Sequence, residues 1–375
     1  MEHGDPAAGH APHPVREGGL ARVAAQITRD LGRPNPWLYW SDLVASALAG
    51  YAALVAACRL PAFPARLAAA AVAVLALYRA VSFVHELTHV KPRTLPGFRF
   101  AWNLLVGLPL LVPSFMYEGV HHLHHARSRY GTTQDPEYLP AAGRRPLSLA
   151  ALLIASAAAP LALLVRFAVL SPASAFVGPL RRWVVARASS LTVNPQFDRP
   201  APATAAERRW WIGWETAASA WALALLAATA SGTIPLRAFL TGLGVASGVA
   251  VLNQVRTMAA HLWESDGEAM SVTAQYLDSV NVPPPTLLPA LWAPVGLRYH
   301  GLHHLLPGLP YHALGAAHRR LAAALPAESP YHRGHHRGIA QLVARLLRSG
   351  RETGREAGPR RSVRTRGWTK AAADG

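Results

Sequence analysis

Eighteen of the 375 residues are histidine, and most of them are clustered. His85 and His89 stand four residues apart. His121, His122, His124 and His125 follow, then His261 alone, then His300, His303 and His304. On an α-helix, residues i and i+4 lie about 40° apart around the axis, and i, i+3 and i+4 share one face. HxxxH therefore offers two imidazoles to one point, and HxxHH offers two or three. Two such rings from the first cluster, three from each of the others and His261 are too many for one metal ion and enough for two. Neutral imidazole suits Fe, Zn, Cu and Ni, and does not suit Mg or Ca. A single HxxxH is as easily incidental as functional. Three clusters at the ends of apolar segments are hard to explain structurally, because ionisable groups at membrane depth are costly and usually functional. His122 points about 100° off the shared face and is set aside. His332, His335 and His336 repeat the HxxHH spacing, but Arg333 and Arg337 beside them disfavour a cation.

The segments that must position these rings are apolar. Hydrophobic residues make up 51% of the chain and charged residues 15%, against about a quarter charged in an ordinary soluble domain. Residues 1–36 read as a polar N-terminal tail holding His3, His10 and His13. Trp37, Tyr39 and Trp40 suit an interfacial aromatic belt. Membrane spans are expected at 41–58 and 66–84, joined by a turn at Pro61 and Pro64, and again at 214–231 and 236–258. Residues 98–117, broken by Pro109 and Pro113, read as interfacial or half-buried. Residues 147–170 are apolar around Pro160. If the clusters share a site, an even number of crossings must separate His125 from His261. The Arg-rich stretch 181–209 belongs on the cytoplasmic side, so 147–170 is expected to lie in-plane or to bend back. The expected fold is an all-α integral membrane protein. It has about four transmembrane helices in two hairpins, with a cytoplasmic helical cap holding the metal site. The domain reading is 1–36 tail, 37–332 membrane domain and 333–375 basic tail.

Other classes are disfavoured. Cys58 is the one cysteine, which excludes a disulfide framework, a CxxC redox pair and a cysteine-ligated cluster. The formal charge of +17 is concentrated towards the C-terminus, where residues 313–375 hold 13 Lys/Arg against 4 Asp/Glu. Beside membrane segments this fits a cytoplasmic tail drawn to anionic lipid better than a nucleic-acid site. Gly242, Gly244 and Gly248 form a broken dinucleotide fingerprint inside a span, with no preceding strand. Helix packing by small residues accounts for them better. No GxSxG elbow marks a serine hydrolase.

The order HxxxH, HxxHH, HxxHH around two hydrophobic hairpins resembles the membrane fatty-acid desaturases and their hydroxylase relatives. The likeness extends through SFVHELTH (82–89), PSFMYEGVHHLHH (113–125), YGTTQDPEYLP (130–140), YHGLHHLLPGLPYHALGAAHRRL (299–321) and LPAESPYH (325–332). It implies a non-haem di-iron centre with all-histidine ligation. Carried over motif by motif, the iron ligands are His85, His89, His121, His124, His125, His300, His303 and His304, and His261 matches an additional histidine. Relatives place a water-holding Asn four residues before that histidine. Thr257 stands there in this chain, with Asn253 one turn earlier. Glu86, Glu118, Asp135, Glu137, Glu264 and Asp266 lie near the clusters. Of these, Glu118 and Asp135 are the candidates carried forward for accepting Nδ1–H bonds from ligand rings.

The resemblance implies O2-dependent removal of hydrogen from an unactivated methylene. A second hydrogen lost gives a double bond, and oxygen transfer gives an alcohol. The leading reading is a desaturase of a lipid acyl chain. The alternative is a hydroxylase or ketolase of an alkyl, carotenoid or sphingoid lipid at the same metal site. A non-catalytic membrane metal transporter would instead line a path through the bilayer with ionisable groups. Trp102, Phe115 and Trp263 are candidates to line the substrate slot, although for each one packing is the more ordinary role. Electrons must come from a separate ferredoxin, rubredoxin or cytochrome-type donor, which the basic face could steer. The expected location is a bacterial inner membrane, with both termini and the site cytoplasmic.

Overall fold

The computed structural model describes residues 19–139, 146–265, 267–286 and 288–356. His3, His10, His13 and Asp266 lie outside these ranges. The described residues are helical, with isolated bridges in place of strands. Helix α1 (Gly19–Ile27) precedes α2 (Pro36–Arg59) and α3 (Phe63–His89). Asn35 caps α2 by accepting from Trp37 N, and Pro36 occupies its first turn, where a missing N–H costs nothing. The helices α2 and α3 form a hairpin. A Cβ on Gly50 would lie 2.6 Å from Leu77, so the close approach requires glycine there.

Helix α4 (Phe98–Trp102) runs into a π-helical turn at Asn103–Gly107, and the short α5 is His121–His124. Then come α6 (Pro146–Val165), a π-helical turn at Arg166–Leu170, α7 (Ser171–Ser174) and α8 (Gly178–Arg187). Helix α9 (Ala205–Ala230) starts on a capping box made by Thr204 and Glu207, and α10 (Leu236–Ala260) returns towards His261. Short helices α11 (Val272–Asp278), α12 (Pro289–Trp292), α13 (His300–Leu305), α14 (Leu314–Ala324) and α15 (Pro330–Arg333) build the cap, and α16 (Ile339–Glu356) follows.

Among the described residues, four helices are long and apolar enough to cross a bilayer: Pro36–Arg59, Phe63–His89, Pro146–Ser174 and Leu236–Ala260. The chain is an integral membrane protein. By length and composition, the segment expected to lie in-plane or bend back, 147–170, falls within Pro146–Ser174, with a mean hydropathy of 2.3, and α9 is not among the four. The contacts nevertheless agree with the expected topology. The chain meets the histidine side both before α6, where Tyr138 Oη accepts from Ser265 N (2.9 Å), and after it, where Leu191 N donates to Met116 O (2.9 Å) and Asn194 donates to Asp135 O (2.9 Å). Helix α9 leads from that side to the start of α10, where Arg237 donates to Cys58 O (2.6 Å) at the end of α2, so two crossings separate His125 from His261. Arg166 at the end of α6 is buried and donates to Glu215 of α9 (2.9 Å), Ser171 (2.5 Å) and Ser189 (2.9 Å). Removing Glu215 would strand Arg166, at about 3–5 kcal/mol, whereas Glu215 would keep its second pairing with Arg181 (2.8 Å). Of the small residues proposed for packing, Gly248 does meet α3, where a Cβ would lie 2.7 Å from Val74. Gly242 and Gly244 face open space.

Two segments first read as tails contain packed helices. Leu20 and Ala24 of α1 are buried against Leu302, Leu305 and Leu321. Leu342 and Leu346 of α16 pack over α10.

Candidate metal centre

The end of α3, α5, the residue after α10, and α13 converge in the cap. They bring nine imidazoles into two groups. His85, His89, His121, His125 and His303 form one, and His124, His261, His300 and His304 form the other. Within each group, one ring nitrogen per residue lies within 4.8 Å of all the rest. All nine sequence-derived ligands are thus brought together, and His122 stays exposed.

The nitrogens are arranged as ligand atoms. Nε2 pairs stand 3.0 Å apart for His121 and His125, 3.1 Å for His125 and His303, 3.1 Å for His261 and His300, and 3.2 Å for His300 and His304. Two nitrogens about 2.1 Å from one ion and at right angles would sit about 3.0 Å apart. His85 Nδ1 and Nε2, His89 Nε2 and His124 Nε2 are buried without a hydrogen-bond partner. Such groups are normally satisfied, and a metal would satisfy one nitrogen of each of these rings. The donor set fits a transition metal.

Carboxylates and a tyrosine fix the far side of several rings. His121 Nδ1–H donates to Glu137 Oε1 (2.7 Å), and Tyr117 OH donates to Glu137 Oε2 (3.0 Å). His124 Nδ1 meets both oxygens of Asp135 at 2.9 Å. Asp135 is itself held by the backbone N–H of Gly131 and of Glu137, each at 2.9 Å. Gly131 has φ 74°, and a Cβ there would lie 2.6 Å from Ser265. His261 Nδ1–H donates to Tyr130 Oη (2.9 Å), which donates to Asp278 Oδ2 (2.8 Å). With Nδ1 protonated, each ring turns a bare Nε2 lone pair towards the centre.

Burial pushes the imidazoles of His121, His261, His300, His303 and His304 well below their ordinary value, and neighbouring rings add to it. They are therefore held neutral, as ligands must be. Burial also opposes charge on His124, but Asp135 outweighs it and the net direction is upward. Burial raises Glu137 to about 7, against the opposing pull of His124.

The remaining sequence candidates are placed as follows. Glu118 receives Arg99 at 2.5 and 2.6 Å and Ser114 Oγ at 3.1 Å, and so braces the segment before α5. Glu86 accepts from Tyr39 OH and from Tyr311 N (3.1 Å), and its nearest imidazole nitrogen, on His85, is 3.7 Å away. Glu264 pairs with Arg345. Asn253 and Thr257 line a cavity beside the histidines. Tyr130 and Asp278 were not anticipated. Their only sequence signal was an acid and a phenol near clusters, a signal many residues shared.

Asn281 ties the cap together. Its Oδ1 accepts from Leu302 N of α13 (2.9 Å), its N–H donates to Gly334 O (3.0 Å), and its carbonyl accepts from His336 N (2.8 Å).

The cavity holds about 240 Å³ between α3, α6 and α10. His85, Tyr117, Glu137 and Arg256 stand at the end nearest the histidines, with Leu163, Ala246 and Val249 further along. A second cavity of about 330 Å³ shares Leu110, Pro160 and Ala246 with it and is walled by Leu54, Leu225, Leu243 and other apolar residues. The aromatic candidates for the slot take instead the packing role that is the more ordinary one for each. Trp102 donates to Ala80 O (2.8 Å), Trp263 donates to Met258 O (2.9 Å), and Phe115 stacks on Trp211. Each is absorbed in packing.

Comparison with known proteins is consistent with this site. Residues 61–336 match the fatty acid desaturase family. A ceramide hydroxylase of Caulobacter vibrioides (strain NA1000 / CB15N) is 48% identical over 314 residues, covering 84% of this chain and 89% of that protein.

Proposed function

This chain belongs to the fatty acid desaturase family of membrane oxidoreductases, and from that premise we propose that it is an O2-dependent hydroxylase of a ceramide-type sphingoid lipid. The observation that carries the reading is the 48% identity, over most of both chains, to a protein named as a ceramide hydroxylase. The acyl desaturase favoured by the sequence alone yields to its stated alternative on that ground. Both outcomes begin with loss of one hydrogen from a methylene, so the same site serves either.

We assign one iron ion to each histidine group. Iron held there supplies the reductive activation of O2 that breaking an unactivated C–H bond requires. The reaction is balanced when one oxygen atom enters the new alcohol and the other leaves as water, with two electrons and two protons supplied from outside. Cys58 is the one cysteine, so a separate ferredoxin, rubredoxin or cytochrome-type protein would deliver the electrons.

The chain's own residues do the rest. Glu137, Asp135 and the Tyr130–Asp278 pair hold His121, His124 and His261 by their Nδ1 atoms. The apolar walls of the cavity keep water from the reacting carbon. The basic segments support a reading in which the site and both termini face the cytoplasm, as in a bacterial inner membrane.

The test is the lipid profile of a ceramide-producing host expressing the protein, read by liquid chromatography–mass spectrometry beside His303→Ala. Ceramide gaining one oxygen, only with the wild-type chain, supports the reading. Loss of two hydrogens would move it to the desaturases, and unchanged ceramide beside an altered glycerolipid would remove ceramide as substrate.

A further inference from the structure

The cavity beside the histidines is not uniformly apolar. Its polar side chains gather at one end. Ser82 and His85 come from the last part of α3, Asn253, Gln254, Arg256 and Thr257 from the last part of α10. The α10 residues lie within two or three turns of His261. Towards the middle of the helices the lining becomes Leu110, Pro160, Leu163, Ala246, Val249 and Ala250, and the second cavity continues the apolar character.

Arg256 is the unusual member of that set. It is only 6% exposed, yet it lines the cavity. Its Nε has no hydrogen-bond partner, and among the described residues no carboxylate pairs with it. Gln254 repeats the pattern. Its Oε1 accepts from Ser156 Oγ (3.3 Å), while its Nε2 is buried without a partner. Two buried donor groups are thus unspent at the same end of the same cavity. A buried, unpaired guanidinium is strongly unfavourable. Its rigid fork of donors matches an oxygen acceptor.

We infer that Arg256, with Gln254, grips an oxygen at the polar end of the lipid substrate, so that oxidation falls on a carbon a few bonds from that oxygen and not in the middle of the chain. A ceramide offers suitable acceptors in its amide carbonyl and hydroxyl groups. Because Arg256 shares the histidine end of the cavity with His85 and Glu137, an oxygen held by it lies beside the metal centre. The hydrocarbon then runs away from that centre, past Leu163 and Ala246 into the second cavity. A plain acyl chain reacting at mid-length would have to set methylenes against these donors and leave them unpaired. The inference rests on the hydroxylase reading for the identity of the lipid, but the placement of the polar end is a separate claim.

The experiment uses the full-length, iron-loaded protein in membranes, with ceramide and a reconstituted electron donor. Tandem mass spectrometry of the wild-type product locates the new hydroxyl, and needs no variant. It is expected within a few bonds of the amide or an existing hydroxyl. Arg256→Met is expected to raise KM by roughly 10- to 100-fold, the range for losing a charged hydrogen bond, with iron content at the wild-type level. Arg256→Lys, which keeps the charge, is expected to recover part of it. A hydroxyl in mid-chain would overturn the inference, as would an unchanged KM in Arg256→Met with full iron content. If ceramide is untouched and another lipid is oxidised, the hydroxylase reading fails. This inference is then judged on where that lipid is oxidised relative to its polar end.

Discussion

HGLHH at 300–304 and HRGHH at 332–336 have the same histidine spacing and opposite fates. The first lies wholly within α13, and all three of its rings join the histidine groups. In the second, α15 ends at Arg333, the chain turns at Gly334, and His335 bridges to Asn281. His335 packs against His318 and Tyr331 instead, with ring centroids 4.9 and 5.1 Å away. Spacing specifies a ligand face where the backbone keeps right-handed helical dihedrals through the last histidine, as it does at His125, the residue that closes α5. Unpartnered nitrogens do not separate the two clusters, since His335 Nε2 and His336 Nε2 are also buried without a partner; what separates them is convergence, for the tail rings join neither histidine group. Burial, with help from neighbouring histidines, pushes His335 down to about 4, which suits a neutral core residue.

The contrast can be broken from either side. The largest effect is expected for His303→Ala, which should abolish the oxidised lipid and leave iron substoichiometric by elemental analysis. If full iron content persisted, the grouping of His303 with His85 and His125 would fail. Asp135→Asn removes the carboxylate behind His124 and should cost roughly 10- to 100-fold in metal affinity or activity, measured by chelator competition. Acid should separate metal-free from loaded protein. His121, His261 and His300 have folded values below the unfolded one of about 6.5, so stability is full above that pH and is lost as pH falls below it. Metal-depleted protein should therefore melt progressively lower as pH drops below about 6.5, and bound iron should delay that loss. The smallest effect is expected for His336→Gln, which should leave iron content and turnover near wild type. A marked drop in iron would make the tail cluster a true site.

Much of this was legible beforehand, for identifiable reasons. The three clusters stand out by their helical spacing, His261 is named through the family resemblance, and the long apolar helices follow from composition. The carboxylates were less legible, because being near a histidine in sequence does not fix which way a side chain faces. Asp135 does reach His124, while Glu118, close to His121, turns to Arg99. Asp278 supports His261 through Tyr130, which lies 148 residues away from it, and no local pattern encodes such a contact. Weighing the charge in 181–209 above the apolar length of 146–174 was sound, because Leu191, Asn194 and Arg199 bond to Met116, Asp135 and Glu118 on the histidine side. Trp102 and Trp263 take the more ordinary of the two roles weighed for them, packing, because each indole N–H is spent on a backbone carbonyl of its own neighbourhood.

Asn281 has a consequence for how each molecule comes into being. During synthesis His85 enters the bilayer on the second long helix, far ahead of His304. The helix bearing His304 is fastened through Asn281 to Gly334 and His336, which emerge later still. A nascent chain cannot complete either histidine group until His303 and His304 have emerged. Both groups therefore close late in maturation, and the choice of metal is open to competition from whichever the cell holds in excess.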